Sequence, residues 1–157
     1  MSVLSHEQYA LLQKTARALE AQGIPYFVVG SVAASVYGDA RTTMDVDIVL
    51  DPEQDALRAF IEDVETWAVT GWEPAFNALL HRHMFGLIDM TTFERADMII
   101  KKRSAFDDMQ MSRRRREHVG SVEVYVASPE DVVLAKLDWA RRGKSERQLE
   151  DAAKVLA

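Results

Sequence analysis

An apolar run that turns through Gly30-Ser31 and is followed, after a spacer of thirteen residues (Val32 to Met44), by Asp45-Val46-Asp47-Ile48 restricts this chain more than any other feature it has. Residues i and i+2 of a strand project to the same face, so Asp45 and Asp47 converge while Val46 and Ile48 point the other way. Two adjacent carboxylates repel, and one is driven toward its neutral form unless a cation or a basic group lies between them. Oxygen-only donors suit Mg2+ or Mn2+ better than zinc, and Mg2+ commonly completes its shell with water and phosphate oxygens.

The segment before the aspartates supplies the complementary half. Residues 26–29 are apolar and enter Gly30-Ser31, and Val32-Ala33-Ala34-Ser35-Val36-Tyr37 reads as a short helix. Strand, tight turn and helix aim free backbone N–H groups at an anion. Gly30 permits unusual dihedrals and close backbone approach, and the Ser31 hydroxyl can cap the helix or meet a phosphate oxygen.

On these residues the chain resembles the nucleotidyltransferase superfamily related to DNA polymerase beta. That pattern is an apolar residue, Gly, Gly or Ser, a spacer and Asp-x-Asp flanked by apolar residues, which Val29-Gly30-Ser31 and Asp45-Val46-Asp47-Ile48 match. Arg41-x-Thr43 is similar to the version found in small bacterial members, including toxin-type proteins of the abortive-infection class. The resemblance implies a third carboxylate on a neighbouring strand, Asp97 within Arg95-Ala96-Asp97-Met98-Ile99-Ile100, and a helix after the sheet that carries Lys136. It further implies that Asp45, Asp47 and Asp97 are the catalytic and metal-binding set for Mg2+ (or Mn2+). Gly30, Ser31, Arg41, Thr43 and Lys136 would contact the nucleotide. The implied reaction moves a nucleoside monophosphate from an NTP to a hydroxyl of tRNA, protein or a small molecule, in a toxin paired with an antitoxin protein. The alternative is a noncatalytic member that binds a nucleotide or a partner. A metal-dependent phosphohydrolase would need a His-Asp metal pattern that the sequence lacks.

At 157 residues, 48% hydrophobic and 28% charged, the chain has material for one core and one domain. Its central part covers about residues 24–126 and a helical part residues 129–157. No apolar run reaches the roughly 18 to 20 residues that cross a bilayer, and Met1-Ser2-Val3-Leu4-Ser5-His6-Glu7 lacks a basic and apolar export signal, so a cytoplasmic location without membrane contact is expected. Without cysteine there are no disulfides, thiolate nucleophiles or cysteine-bound zinc. A net charge of −6 opposes general coating of nucleic acid. Lys101-Lys102-Arg103 and Arg113-Arg114-Arg115-Arg116 concentrate positive charge locally; a solvated helix face is preferred over a polyphosphate or RNA contact.

Apolar periodicity and caps predict a helix over 5–22, a first strand from 26, a second carrying the aspartates and a helix opening at Asp51-Pro52, with Trp72 and Phe76 in the following loop. Strands over 78–90 and 96–100 form a hairpin turning near Thr91-Thr92-Phe93-Glu94, followed by a helix over 106–117, a strand over 121–126 and helices over 129–141 and 145–156. This order describes an α+β fold, a mixed β-sheet of about five strands flanked by helices. Neither Gly-x4-Gly-Lys-Ser nor Gly-x-Gly-x-x-Gly is present. His81 and His83 lack further zinc ligands at a recognisable spacing, and Trp67, Trp72 and Trp139 are assigned to the core.

Overall fold

The computed structural model describes residues 4–38, 45–143 and 146–156, with backbone only at 143 and 146–149. The chain opens with α1 (His6–Ala21), whose N-terminus is closed by a reciprocal cap: Ser5 Oγ accepts from Gln8 N–H, and Gln8 Oε1 accepts from Ser5 N–H. Leu11, Leu12, Ala16 and Leu19 form its buried stripe. Gly23, at φ +65°, releases the chain into Ile24-Pro25 and β1 (Tyr26–Val29).

Next come α2 (Gly30–Val36), β2 (Val46–Leu50), α3 (Gln54–Val64), β3 (Ala68–Val69), α4 (Trp72–His81), β4 (Met84–Asp89) and β5 (Arg95–Ile100). The chain closes with α5 (Ala105–Arg113), β6 (Arg115–Val119), β7 (Val122–Val126), α6 (Pro129–Gly143) and α7 (Glu146–Leu156). The strands make one mixed sheet in the order β3-β4-β5-β2-β1-β7-β6. β2 lies antiparallel to β1 and parallel to β5, and β1 lies parallel to β7.

The α+β class with a mixed sheet is as expected, but the sheet has seven strands rather than about five. Two were hidden for separate reasons. β3 is two residues long, too short for alternation to register. β6 lies in the run assigned to a single helix over 106–117: α5 ends at Arg113, and 115–119 pair with β7 instead. Charged residues fill that edge strand, which blunts sheet-to-sheet pairing and erases the apolar alternation of a strand.

The expected strand over 78–90 is also divided. Residues 72–81 are helical, with Ala75 and Ala78 buried one turn apart and Trp72 stacked on Phe76. Arg82 then adopts the left-handed conformation at φ 51° and β4 starts at Met84. A short apolar run such as Ala78-Leu79-Leu80 does not separate helix from strand by itself. The β4–β5 hairpin turns where expected, with Asp89 Oδ1 accepting from the N–H groups of Thr91 and Thr92. Pro52 precedes α3 by two residues instead of lying in its first turn.

Burial alternates along the two central strands. Val46, Ile48 and Leu50 of β2 and Ala96, Met98 and Ile100 of β5 are fully buried, whereas the intervening positions are half-buried. One sheet face is therefore sealed in the core, and the other keeps access at Asp47 and Asp97. Among the described residues, no helix is long and apolar enough to cross a membrane.

Candidate active site

Register brings the acidic residues together. Asp47 faces Asp97 across the parallel β2–β5 ladder and faces Val29, the last residue of β1, across the antiparallel ladder. Because a parallel pair keeps its side chains on common faces, both carboxylates emerge on the half-buried side, with Asp45 two residues earlier on the same side. Burial, then the charges of Asp97 and Asp45, push the Asp47 carboxyl up to about 6, against the opposing pull of Arg95.

Gly30 closes on this group. Its φ is +67°, and a Cβ placed there would lie 2.6 Å from Asp47 Oδ2. Backbone at the start of α2 thus rests against the carboxylate at a distance no other residue permits. Ser31 follows, exposed at the mouth. Opposite this turn, α6 presents Asp131, Val132, Ala135, Lys136 and Trp139, and α5 contributes Gln110, enclosing a cleft of about 310 Å³.

Of the residues singled out from the sequence, Gly30, Ser31, Asp47 and Lys136 line this cleft; Asp45 and Asp97 interact with Asp47 at its edge. Arg41 and Thr43 lie outside the described residues. The nearly buried Lys136 donates to Asp151 Oδ2 at 3.2 Å, tying α6 to α7. His81 and His83 do not line the cleft; their rings lie 5.9 Å apart between α4 and β4.

Four residues of the site or its frame were not anticipated. Arg95, half-exposed, donates from Nε to Asp97 Oδ1 at 2.8 Å, its position two residues before Asp97 being the only hint in the sequence. Asp131 has a fully buried side chain gripped by Arg113 at 3.1 and 2.5 Å and by Ser128 Oγ at 2.9 Å; Ser128-x-x-Asp131 is a helix-start signature that carried this information. Gln110 had no signal. Trp139, assigned to the core, is 62% exposed. Arg113 to Arg116 form no helix face: Arg113 is engaged by Asp131, Arg114 and Arg116 lie against the Tyr125 ring, and Arg115 pairs with Glu117.

As the side chains stand, no three His, Asp or Glu groups among the described residues form a ready cation cage. The donor set is nonetheless of the type that fits a hard cation: a carboxylate pair short of neutralising charge, with a third carboxylate beside it and an open cleft in front. A divalent ion held by one or two carboxylates and completed by phosphate oxygens needs no preformed protein cage.

No family model matches the sequence, and no curated protein matches it. Solved structures do match the fold. A Thermotoga maritima protein described as a nucleotidyltransferase superposes with a TM-score of 0.65 at 16% identity, covering 95% of this chain and 94% of its own. A nucleotidyltransferase-like antigen of Paracoccidioides brasiliensis gives 0.65 at 17% identity over 98% of this chain and 76% of its own. The lincosamide antibiotic adenylyltransferase LnuA, bound to lincomycin, gives 0.61 at 12% identity over 99% of both chains. The chain therefore has the fold of the nucleotidyltransferase superfamily, the one its Gly-Ser turn and paired aspartates resemble.

Proposed function

We propose that this chain is a nucleotidyltransferase dependent on Mg2+ or Mn2+, transferring a nucleoside monophosphate from an NTP to a hydroxyl acceptor. The observation that carries the reading is the in-register Asp47–Asp97 pair, with Asp45 beside it and the Gly30 backbone against Asp47 at the end of an open cleft. A structural role alone gives no reason to gather three mutually repelling carboxylates.

Asp45, Asp47 and Asp97 are the residues that would hold the cation, which supplies charge neutralisation for the triphosphate and acidifies the acceptor hydroxyl. Asp97, across the ladder from Asp47, takes the hydroxyl proton as the acceptor oxygen bonds to the α-phosphorus and the bond to the β-phosphate oxygen breaks, releasing pyrophosphate. Arg95 fixes the Asp97 carboxylate for that task. Gly30 and Ser31 receive phosphate oxygens at the turn, and Arg41, Thr43 and Lys136 are assigned to phosphate contact or to orienting the carboxylates.

The acceptor is a tRNA, a protein or a small hydroxyl compound. Similarity in fold to a lincosamide adenylyltransferase over the full chain supports the last of these, and Arg41-x-Thr43 supports a toxin with an antitoxin partner. The test is transfer of label from each α-labelled NTP, with Mg2+ or Mn2+, to total tRNA, cell lysate or a panel of hydroxylated antibiotics. Wild type is compared with Asp45→Asn and Asp47→Asn. Transfer by wild type and its loss in both variants is the expected result; NTP binding without transfer to any acceptor would establish the noncatalytic alternative.

A further inference from the structure

Trp139 is the one tryptophan whose surroundings do not account for it. Trp67 lies beneath the Lys14 ammonium at 4.2 Å, and Trp72 stacks on Phe76 with the Arg58 guanidinium over its ring. Trp139 makes no aromatic or cation–π contact among the described residues and leaves most of its surface in water. Large aromatic rings are seldom left so open unless something covers them.

Its position on α6 says what that could be. Asp131, Val132, Ala135, Lys136 and Trp139 recur at one- and three-residue intervals, so they form one helix face, and all line the cleft that contains Gly30, Ser31 and Asp47. From Asp131 to Trp139 this face runs about 12 Å along the helix. Asp47 and the Gly30-Ser31 turn line the same cleft, and Trp139 is the last of the α6 row.

We infer that Trp139 is a stacking platform for the base of the bound nucleotide, a residue that sets nucleotide affinity and favours large bases. The inference rests on the nucleotidyltransferase reading above. An NTP with its phosphates at the carboxylate end has one part that backbone N–H groups and carboxylates do not satisfy: the flat, weakly polar base. An indole face covers that surface without reading its hydrogen-bonding edge, so stacking accepts every base and favours purines by area. Among the described residues that line the cleft, Trp139 is the only aromatic one.

The experiment is calorimetric titration of the full-length chain with α,β-methylene ATP in Mg2+, alongside inorganic tripolyphosphate, which has the phosphates and no base. Trp139→Ala should weaken the ATP analogue by roughly 5- to 150-fold, the range expected for one lost stacking contact. Trp139→Phe should keep most of the affinity. Tripolyphosphate should bind all three proteins equally, which shows that the fold and the phosphate end are intact. The loss should be larger for the ATP and GTP analogues than for those of CTP and UTP, and ATP should quench tryptophan emission in wild type and not in Trp139→Phe. Equal binding of the ATP analogue by wild type and Trp139→Ala overturns the inference and leaves the ring to an acceptor or a protein partner. Failure of wild type to bind either ligand overturns the nucleotidyltransferase reading and this inference with it.

Discussion

Asp47 and Asp97 share a register position on neighbouring parallel strands, and the charge of Asp97 works against ionisation of Asp47. Between the ordinary carboxylate value of 3.8 and about 6, the unfolded chain has released the Asp47 proton while the folded chain keeps it. The folded state binds more protons in that window, so stability falls as pH rises through it and stays reduced above about 6. After allowance for solvent screening of a half-buried group, the penalty at neutral pH is on the order of 1–2 kcal/mol. In EDTA, Asp47→Asn is expected to melt several degrees above wild type at pH 8 and level with it at pH 4, at about 2–4 °C for each kcal/mol. A melting temperature for the variant below wild type at pH 8 would contradict the charge crowding described here.

Arg95 is the counter-charge to this crowding. Its guanidinium holds Asp97 and pulls the Asp47 carboxyl downward. Arg95→Gln removes that pull, so the apparent midpoint of the acidic cluster, followed by carboxyl NMR or by stability against pH, should move above its wild-type position. The midpoint belongs to the coupled group of carboxylates, and the comparison of the two proteins is its proper measure. Because a cation and Arg95 compete for Asp97, the same variant should lose more stability on removal of Mg2+ than wild type does, read as the melting-temperature difference between Mg2+ and EDTA.

Gly30 and Gly23 offer a controlled comparison. Both have φ near +65°, so alanine at either position meets the left-handed penalty of about 1–2 kcal/mol. At Gly23 a Cβ meets nothing within 4 Å, whereas at Gly30 it lands 2.6 Å from Asp47 Oδ2. Gly30→Ala should therefore destabilise more than Gly23→Ala, and only Gly30→Ala should shift the pH dependence of stability, because it displaces the Asp47 carboxylate. Thermal melts of the two variants from pH 4 to pH 8 decide this, and equal losses would mean that the turn gives way without disturbing Asp47.

The acidic cluster and the turn beside it were legible because they are local and periodic. Gly30-Ser31 and Asp45-Val46-Asp47 are short, chemically unusual and spaced in a recognisable way, and Asp97 sits in an alternating strand that any reading of period two finds. What escaped depended on context that one segment does not carry. β6 is a strand because β7 offers it a partner, although its own residues are mostly charged. Trp139 reads as core because tryptophan usually is core, and its exposure follows from where α6 lies, packed on α7 and α2. Arg95 gains meaning only from the position of Asp97 beside it.

Lys136 poses the last question, whether its ammonium serves the fold or the ligand. It is nearly buried, faces the cleft and bonds Asp151 Oδ2 at 3.2 Å, and such a pair is far harder to break singly than to replace as a unit. Asp151→Ala takes a carboxylate from a nearly buried ammonium and should destabilise by about 3–5 kcal/mol, whereas Lys136→Met paired with Asp151→Leu should recover most of the loss. If the ammonium acts on the fold alone, the double variant binds tripolyphosphate as wild type does. If it also meets phosphate, the double variant melts near wild type and still binds tripolyphosphate at least several-fold more weakly. The second outcome is expected, because Lys136 shares a cleft with Gly30, Ser31 and Asp47, and an ammonium with three donors can meet a phosphate oxygen while it keeps Asp151. Melting and titration of the same preparation separate the two roles, and a double variant that matches wild type in both measurements would remove Lys136 from the binding site.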